Sequence, residues 1–386
     1  MHVAIVGGGI VGLASAYYLT DVGAEVTVFE KNTVGSGSTE RSAGGIRSQF
    51  TSAANVELSR RSLAVWDRFE ETFGVDIGFR RSGYLFVART EAARERFENA
   101  VSLQRDLGVE NSFLAPEEVA EVHPGIREEA ILGGAYSPND GFADPHLALQ
   151  GFLRTARGMG VSVETHTPVV ELLEGSDGEI AGVRTDDGPV EADAVVNAAG
   201  AWGGHVAAMA GLSLPIAARR LQITVVEPER SVPETTPMTL DPTTDSYFHP
   251  EGGGAAVVGG GSTITGDVRP VDPDAYAKSM DLDFASGVLE AVSEYAAFFG
   301  PDSEIRSGWA GLIAETPDHN PILEESRPGF VNAVGFSGHG FLHAPAVGEV
   351  VRDLVLDGET PLVDLDSFRS DRFDGEDRDR HRWLSA

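Results

Sequence analysis

The 386-residue sequence predicts an α/β protein, α+β overall, in which a Rossmann-like nucleotide-binding domain is interrupted by an antiparallel-sheet domain. Three observations predict this arrangement. Residues 1–30 spell out strand, glycine turn, helix and strand. Residues 212–300 change to short alternating strands with Pro and Gly punctuation. Residues 330–356 return to strand, glycine turn and helix, so the two ends of the chain share one architecture and the middle has another.

Taken in order, residues 2–6 give an apolar first strand, 10–19 an apolar helix and 25–29 a second strand, with Gly23 suited to the helix exit. Residues 35–45 are mostly Gly, Ser and small polar residues, which pack no element of their own and predict a loop against a ligand or neighbour. A helical pattern runs over 53–73, a short strand over 83–87, a charged helix through 105 and another helix over 116–122. A βα pattern fills 130–202, closing on the strand 194–196 and the small residues 197–200. One long helix is expected over 275–299. The last unit places a strand over 330–336 and a helix over 345–356, opened by Pro345, a residue favoured at the first helical position. Residues 357–386 are polar and charged, and no internal repeat is present.

Composition narrows the function classes. The hydrophobic fraction of 41% is that of a soluble α/β protein with a large core. Sixty acidic against 29 basic residues give a net charge of −31, spread along the whole length, which argues against nucleic acid or an anionic membrane surface as partner. Salt screens the self-repulsion of such a surface, so a halophilic, salt-rich cytoplasm is the expected setting. The absence of cysteine excludes disulfides, thiolate metal sites, cysteine nucleophiles and a flavin bonded to sulfur. No apolar stretch approaches the roughly 20 residues of a membrane span, so no membrane insertion is expected. The chain opens directly on a strand, and the expected location is cytoplasmic.

Gly7, Gly9 and Gly12 form G-x-G-x-x-G between strand and helix. The first glycine permits the tight turn, the second lets the backbone approach a pyrophosphate, and the third lets helix and strand pack closely. The helix N-terminus offers free N–H groups and a positive dipole end to that anion. Glu30 ends the second strand 18 residues beyond Gly12, where a carboxylate accepts hydrogen bonds from an adenosine ribose and repels a 2′-phosphate. These residues alone leave NAD and FAD undistinguished.

The other end of the chain adds Gly335-Phe336-Ser337-Gly338-His339-Gly340-Phe341 before the last helix. Glycines here let the backbone pass flat against a ring, and the helix N-terminus can face the N1–C2=O edge of an isoalloxazine, where negative charge collects on reduction. The same residues also suit an ordinary turn before a helix. With Asn197-Ala198-Ala199-Gly200-Ala201-Trp202, Gly308-Trp309-Ala310-Gly311-Leu312 and Thr316-Pro317-Asp318-His319-Asn320-Pro321, the chain resembles the FAD-dependent amine oxidoreductases of the D-amino acid oxidase superfamily. It is most similar to the β subunits of sarcosine oxidases and dye-linked proline dehydrogenases, in matching order across nearly the whole chain.

The resemblance implies a glutathione-reductase-type FAD-binding domain from residues 1–80, 140–211 and 301–365, a substrate domain from 81–139 and 212–300, and a charged tail over 366–386. Gly7, Gly9, Ile10, Val11, Gly12, Glu30 and Lys31 would hold the ADP half, with Val170 beside it. Ser38, Thr39 and Arg41 would line the pyrophosphate and ribityl path, followed by Gly45 and Ile46. Ala198, Ala199, Gly200, Trp202 and Gly311 would touch the cofactor further along, and Gly338, His339, Gly340, Phe341 and Leu342 would face the pyrimidine edge.

Amine oxidation of this kind chiefly requires the substrate α C–H to be positioned against flavin N5. A substrate carboxylate calls for a cation, and Arg47, in Gly44-Gly45-Ile46-Arg47-Ser48-Gln49-Phe50, falls where sarcosine oxidases place one. A salt bridge to one of the many acids is the structural alternative. Tyr247 matches a substrate-facing tyrosine of the same relatives, or is a half-buried strand aromatic; His339 and His343 flank the flavin turn as lining residues. Leu342 stands where monomeric sarcosine oxidases carry a lysine, and residues 252–261 hold no counterpart of their oxygen-activating lysine. Ile313 replaces the arginine of glycine oxidases, which speaks against glycine itself. The expectation is therefore an amine or imino acid dehydrogenase, of sarcosine, dimethylglycine or proline type, that passes hydride to flavin and electrons to a carrier or partner subunit. A 2-hydroxy acid dehydrogenase, and a non-catalytic FAD-containing assembly or electron-transfer protein, are the alternatives on the same fold.

Residues 38–42 lack the histidine used for covalent attachment in dimethylglycine enzymes, and there is no cysteine. FAD is accordingly expected to be noncovalent: acid denaturation should release all of the flavin into the supernatant, and flavin retained in the washed pellet would contradict this.

Overall fold

The computed structural model describes residues 1–261, 264 and 269–374. The N-terminal unit forms as its pattern dictates: β1 (His2–Val6), α1 (Ile10–Asp21) and β2 (Glu25–Glu30). Gly23, at φ 88°, turns the chain out of α1. After the small-residue loop come β3 (Gly45–Ile46), α2 (Ala53–Trp66) and α3 (Phe69–Phe73). The single helix expected over 53–73 is thus two, because Arg68 leaves helical geometry (φ −114°, ψ 18°). The break turns Phe69 and Phe73 onto Phe152, with ring centroids 5.3 and 4.6 Å away.

The first excursion holds β4 (Tyr84–Ala88), α4 (Glu91–Asp106), β5 (Ser112–Leu114), α5 (Pro116–Val122), β6 (Gly133–Ser137) and β7 (Gly141–Phe142). Caps mark its helices: the Thr90 hydroxyl accepts from Ala93 N–H, and the Glu118 carboxylate reaches back to Ala115 N–H. The chain then returns through α6 (Pro145–Gly158), capped by Asp144, to β8 (Ser162–Thr165), β9 (Val169–Glu174), β10 (Ile180–Thr185), β11 (Gly188–Glu191), β12 (Ala194–Asn197) and α7 (Gly203–Met209). The second excursion comprises β13 (Ala217–Glu227), β14 (Met238–Asp241), β15 (Ser246–Gly252), β16 (Ala255–Gly260), α8 (Leu282–Tyr295) and β17 (Glu304–Glu315). It ends in β18 (Ile322–Arg327), β19 (Phe330–Val334) and α9 (Gly340–Asp357).

Two sheets carry the architecture. One has the order β18-β19-β12-β1-β2-β8 and is parallel apart from β18. The other runs β17-β13-β16-β15-β14-β4-β6-β5, drawing on both excursions, with β14–β4 as its parallel join. Strand pairing therefore places residues 304–315 in the substrate-side sheet, although the sequence groups them with the FAD domain: β13 and β17 are hydrogen-bonded along their whole length. The first sheet buries one face under α1, α2, α6 and α9, and the second packs under α8 through Phe284, Val288, Val292 and Tyr295.

Two helix expectations are corrected. The helix expected over 275–299 spans only Leu282–Tyr295. Its flanks are claimed by other backbone: Lys278 C=O accepts from Ala310 N–H, Ser279 bridges to Trp309, and Ala296 bridges to Ile126. The final helix starts at Gly340, so Pro345 is its sixth residue instead of its first. An interior proline frees backbone groups of the adjoining turn, and α2 satisfies the turn around it. Trp66 Nε1 donates to Leu342 C=O at 2.9 Å, and Ala346 N–H donates to Ser62 Oγ at 3.1 Å. At the C-terminus, Phe368 is fully buried, and Ser370 N–H and Oγ both donate to Glu324. The charged tail expected from 366 is thus docked through Asp374, and its remainder lies outside the described residues.

Ser62→Ala would leave the buried Ala346 N–H without an acceptor, so urea denaturation should show a loss of about 1–2 kcal/mol. An unchanged midpoint would show that the proline turn does not depend on α2.

Candidate active site

A cavity of about 1450 Å³ opens where the C-terminal ends of β1, β2, β12 and β19 meet the second sheet. At its nucleotide end Gly7 adopts φ 114°, and a Cβ there would stand 2.5 Å from Ala198 O; a Cβ on Gly12 would stand 2.0 Å from Gly7 O. Only glycine lets β1, β12 and α1 close so tightly. Glu30 is held by Gly8 N–H (2.9 Å) and Asn32 N–H (2.8 Å), which aims its carboxylate across the glycine turn. At the start of α1, Thr39 Oγ1 accepts from Ile10 N–H at 3.1 Å, so the first helical N–H expected to be free for an anion is already bonded. The next, that of Val11, has no carbonyl four residues back within the helix.

Lys31 lies 3.7 Å above the Trp202 ring, and Asp274 joins the two: it lies 2.5 Å from Lys31 Nζ and accepts from Trp202 Nε1 at 3.0 Å. This ties the segment before α8 to the end of β2. Further along, Trp309 Nε1 donates to Arg41 C=O at 3.1 Å, and Arg41 Nε is enclosed without a partner. At the far end Gly335, Ser337 and Gly338 all have positive φ (75°, 50° and 94°). Ser337 N–H donates to Ala314 C=O, and Ser337 Oγ accepts from Thr316 N–H, which fastens the turn to the end of β17. Gly200 and Gly338 decide the fit to a cofactor. Both line the cavity, a Cβ on Gly200 would meet no protein atom within 4 Å, and one on Gly338 would reach only Ile313 at 3.9 Å. Side chains there would project into the cavity itself. With Glu30 at one end and the N-terminus of α9 at the other, the residues fit an extended FAD.

Beside the α9 turn stands Arg47, only 3% exposed. Its guanidinium donates to Gln49 C=O and contacts His339 Nε2 at 3.1 Å, with the Phe50 and Phe86 rings 4.1 and 5.2 Å away. Burial pulls its affinity for the proton down, while Tyr84 and Asp140 raise it. Arginine has only donors, so the contact fixes His339 as the tautomer with its proton on Nδ1. Burial, and then the Arg47 charge, hold His339 far below the ordinary histidine range, so it is neutral. Burial also pushes Tyr84 up to about 12 and Tyr247 higher still, leaving both as phenols.

Of the expected residues, Gly12, Ile46, Val170 and His343 do not line the cavity. Gly12 acts through packing. Ile46 belongs to the core of the first sheet. Val170 points away and is 49% exposed, and Val169 takes the cavity wall instead. His343 is fully buried behind Phe50, bonded to Ser59 Oγ at 2.9 Å and driven down to about 3 by burial. Sequence reasoning missed Tyr84, Phe86 and Met238, which wall the cavity beside Arg47. Tyr84 and Phe86 alternate along β4, but an apolar strand of that kind reads as ordinary core. Gly200→Val tests the fit. It should leave a folded chain, destabilised by about 1–2 kcal/mol for its left-handed backbone. FAD affinity of the apoprotein should fall roughly 100-fold in a fluorescence titration, because the added side chain overfills the cofactor space.

Comparison with known proteins agrees with this geometry. Residues 2–354 match the family described as DAO, FAD dependent oxidoreductase. FAD-dependent oxidoreductase domain-containing protein 1 of Bos taurus is 32% identical, over 96% of this chain and 84% of its own. The glycine oxidase of Geobacillus kaustophilus (strain HTA426) is 31% identical over 97% of both chains. The crystal structure of L-proline dehydrogenase from P. horikoshii superposes with a TM-score of 0.87 at 32% identity, covering 97% of each chain. The two glycine turns at opposite ends of one cavity and the match across almost the whole chain lead to one conclusion: the chain belongs to the DAO family of FAD-dependent oxidoreductases.

Proposed function

We propose that the chain is a dehydrogenase of a small secondary or tertiary amine or cyclic imino acid that carries a carboxylate, of the sarcosine, dimethylglycine or proline kind. Noncovalent FAD is its cofactor, and a carrier or partner subunit takes its electrons. The observation that carries this reading is the burial of Arg47 at the end of the cavity that holds the Gly338–Gly340 turn. A guanidinium stripped of water and walled by aromatic rings binds a carboxylate more strongly than one in solvent. The likeness to a glycine oxidase and to an L-proline dehydrogenase supports an amine beside that carboxylate.

The surrounding side chains favour an N-alkyl or cyclic amine. Tyr84, Phe86, Met238 and Tyr247 give the cavity an apolar wall that would exclude water from the carbon next to the amine, and Phe50 packs behind on the Arg47 guanidinium. Neutral His339 accepts from Arg47 and adds no charge to repel the substrate nitrogen. FAD bound in this cavity supplies the two-electron acceptor. Two features support a carrier over oxygen as the final acceptor. Leu342 lines the cavity where an oxidase of the sarcosine type has lysine. Among the described residues the cavity-lining lysines are Lys31, joined to Asp274 at the nucleotide end, and Lys278. The described residues contain no helix long and apolar enough to cross a membrane, and a salt-rich cytoplasm remains the proposed setting.

Anaerobic bleaching of the holoprotein in high salt, with sarcosine, dimethylglycine, L-proline, glycine, D-alanine and 2-hydroxyglutarate, tests the reading. One of the first three should bleach the flavin, and reoxidation by an artificial dye should outpace reoxidation by oxygen. Failure of every amine, or bleaching by 2-hydroxyglutarate alone, would overturn it. Arg47→Ala should retain FAD and weaken substrate binding by roughly 100-fold, the scale of a lost charged hydrogen-bonded pair.

A further inference from the structure

Asp140 is a buried carboxylate that the reaction itself does not use. It is fully enclosed in the turn between β6 and β7. Its carboxylate accepts from Ser48 N–H at 2.9 Å and from Ser48 Oγ at 2.9 and 3.1 Å, while its own C=O accepts from Gly83 N–H at 3.0 Å. Ser48 follows Arg47 and Gly83 precedes Tyr84, so one aspartate fastens the two segments that present the guanidinium and its phenol neighbour. The position cannot slide: a Cβ on the next residue, Gly141, would stand 1.9 Å from Arg80 O. Asp140 also acts on Arg47 directly, as one of the two groups that favour its charged form.

Arg47 and Asp140 together are neutral, a state that a buried site tolerates. A substrate carboxylate arriving at Arg47 would leave one uncompensated negative charge beside the cavity wall in which Asp140 is buried, at high cost. We propose that Asp140 is the exchangeable counter-charge of Arg47: it balances the guanidinium in the substrate-free protein and takes one proton from solvent when a substrate carboxylate binds. The balance is then Arg47⁺ with Asp140⁻ before binding, and Arg47⁺ with the substrate carboxylate and protonated Asp140 after it. The inference rests on Arg47 being the carboxylate site.

Burial raises Asp140 to about 6, against the pull of its Ser48 and Ser137 hydrogen bonds and of Arg47. A bound carboxylate raises it further. The other groups around Arg47 do not titrate near neutrality. His343 is lowered to about 3 and His339 lies well below its usual range, while Tyr84 is raised to about 12 and Tyr247 beyond that. His319, which lines the cavity and acts on His339, is the remaining group to control.

The probe is propionate, a carboxylate without an amine, titrated into the holoprotein at fixed high salt and followed by the flavin absorbance. Between the lower value of the free protein and the higher value of the complex, each bound carboxylate brings in one proton. The Kd should therefore be level below about pH 6 and rise tenfold per pH unit above it. Asp140→Asn keeps an oxygen for Ser48 and mimics the protonated acid. It should bind with a level Kd across the range, and at pH 8 up to about 100-fold more tightly than the unaltered protein. His319→Gln should keep the slope. Binding with a level Kd in the unaltered protein, or a slope that survives Asp140→Asn, would overturn the proton exchange and leave the Arg47 reading standing. A flavin spectrum untouched by propionate at every pH would overturn both.

Discussion

Contact between α1 and α9 is the constraint on which the site depends. A Cβ on Gly348 of α9 would stand 2.6 Å from the Tyr18 ring and 2.8 Å from the Ala14 carbonyl carbon of α1, so the two backbones touch. The helices come from opposite ends of the chain, yet each leaves the same edge of the parallel sheet, α1 after β1 and α9 after β19. Locking them side by side brings both N-termini, with their positive dipole ends, to one cavity. One would face the pyrophosphate of a bound FAD and the other its flavin edge. A larger residue at 348 would separate them and misalign two binding elements at once.

What the sequence made legible follows from where its signals lie. The turn at Gly7–Gly12, the acid Glu30 and the turn at Gly338–Gly340 are local patterns whose geometry needs specific residue types, and Gly7, Gly9, Glu30, Gly338 and Gly340 lie on the cavity wall. Pro345 misled because its preference for a first turn is a statistical one, and tertiary bonds from Trp66 and Ser62 override it. The sequence extends the helix around α8 beyond its ends because the flanks have helical composition but pair with other segments. His343 lies near the flavin turn in sequence, but one helical turn rotates it to the far side, against Ser59. Asp140 carries no motif at all. It emerges only when the first excursion folds back and places the turn between β6 and β7 beside Ser48.

The charge distribution separates habitat from chemistry. The net charge of −31 is spread over the length of the chain, and many surface acids are paired with arginines, as Glu98 is with Arg94 and Glu171 with Arg184. Such exposed pairs add little stability each. Buried charge is costly by contrast, and the flavin-turn region gathers Arg47, Asp140, His339 and His343, all nearly or fully enclosed. His339 Nε2 is paired with Arg47 and His343 Nε2 with Ser59, whereas His343 Nδ1 is orphaned. Unpartnered buried atoms are not confined to this region, since both nitrogens of His123, buried in the core of the second sheet, also lack partners.

Strand β17 measures out the cavity. Trp309, Gly311 and Ile313 alternate on one face of it, each opposite a β13 residue of the same face, at steps of about 7 Å. Trp309 and Gly311 rest against Arg41, and Ile313 faces Gly338. Inserting or deleting one residue between Trp309 and Ile313, where the pairing runs without a shift, would turn the face over and carry Leu312 to the position of Ile313. Lineages descending from such a scaffold can therefore vary what β17 presents to the flavin turn only by substitution in place. Length changes are absorbed at the irregular step near Val225 and Val226 or outside the ladder, and what faces Gly338 changes only through the side chain at position 313.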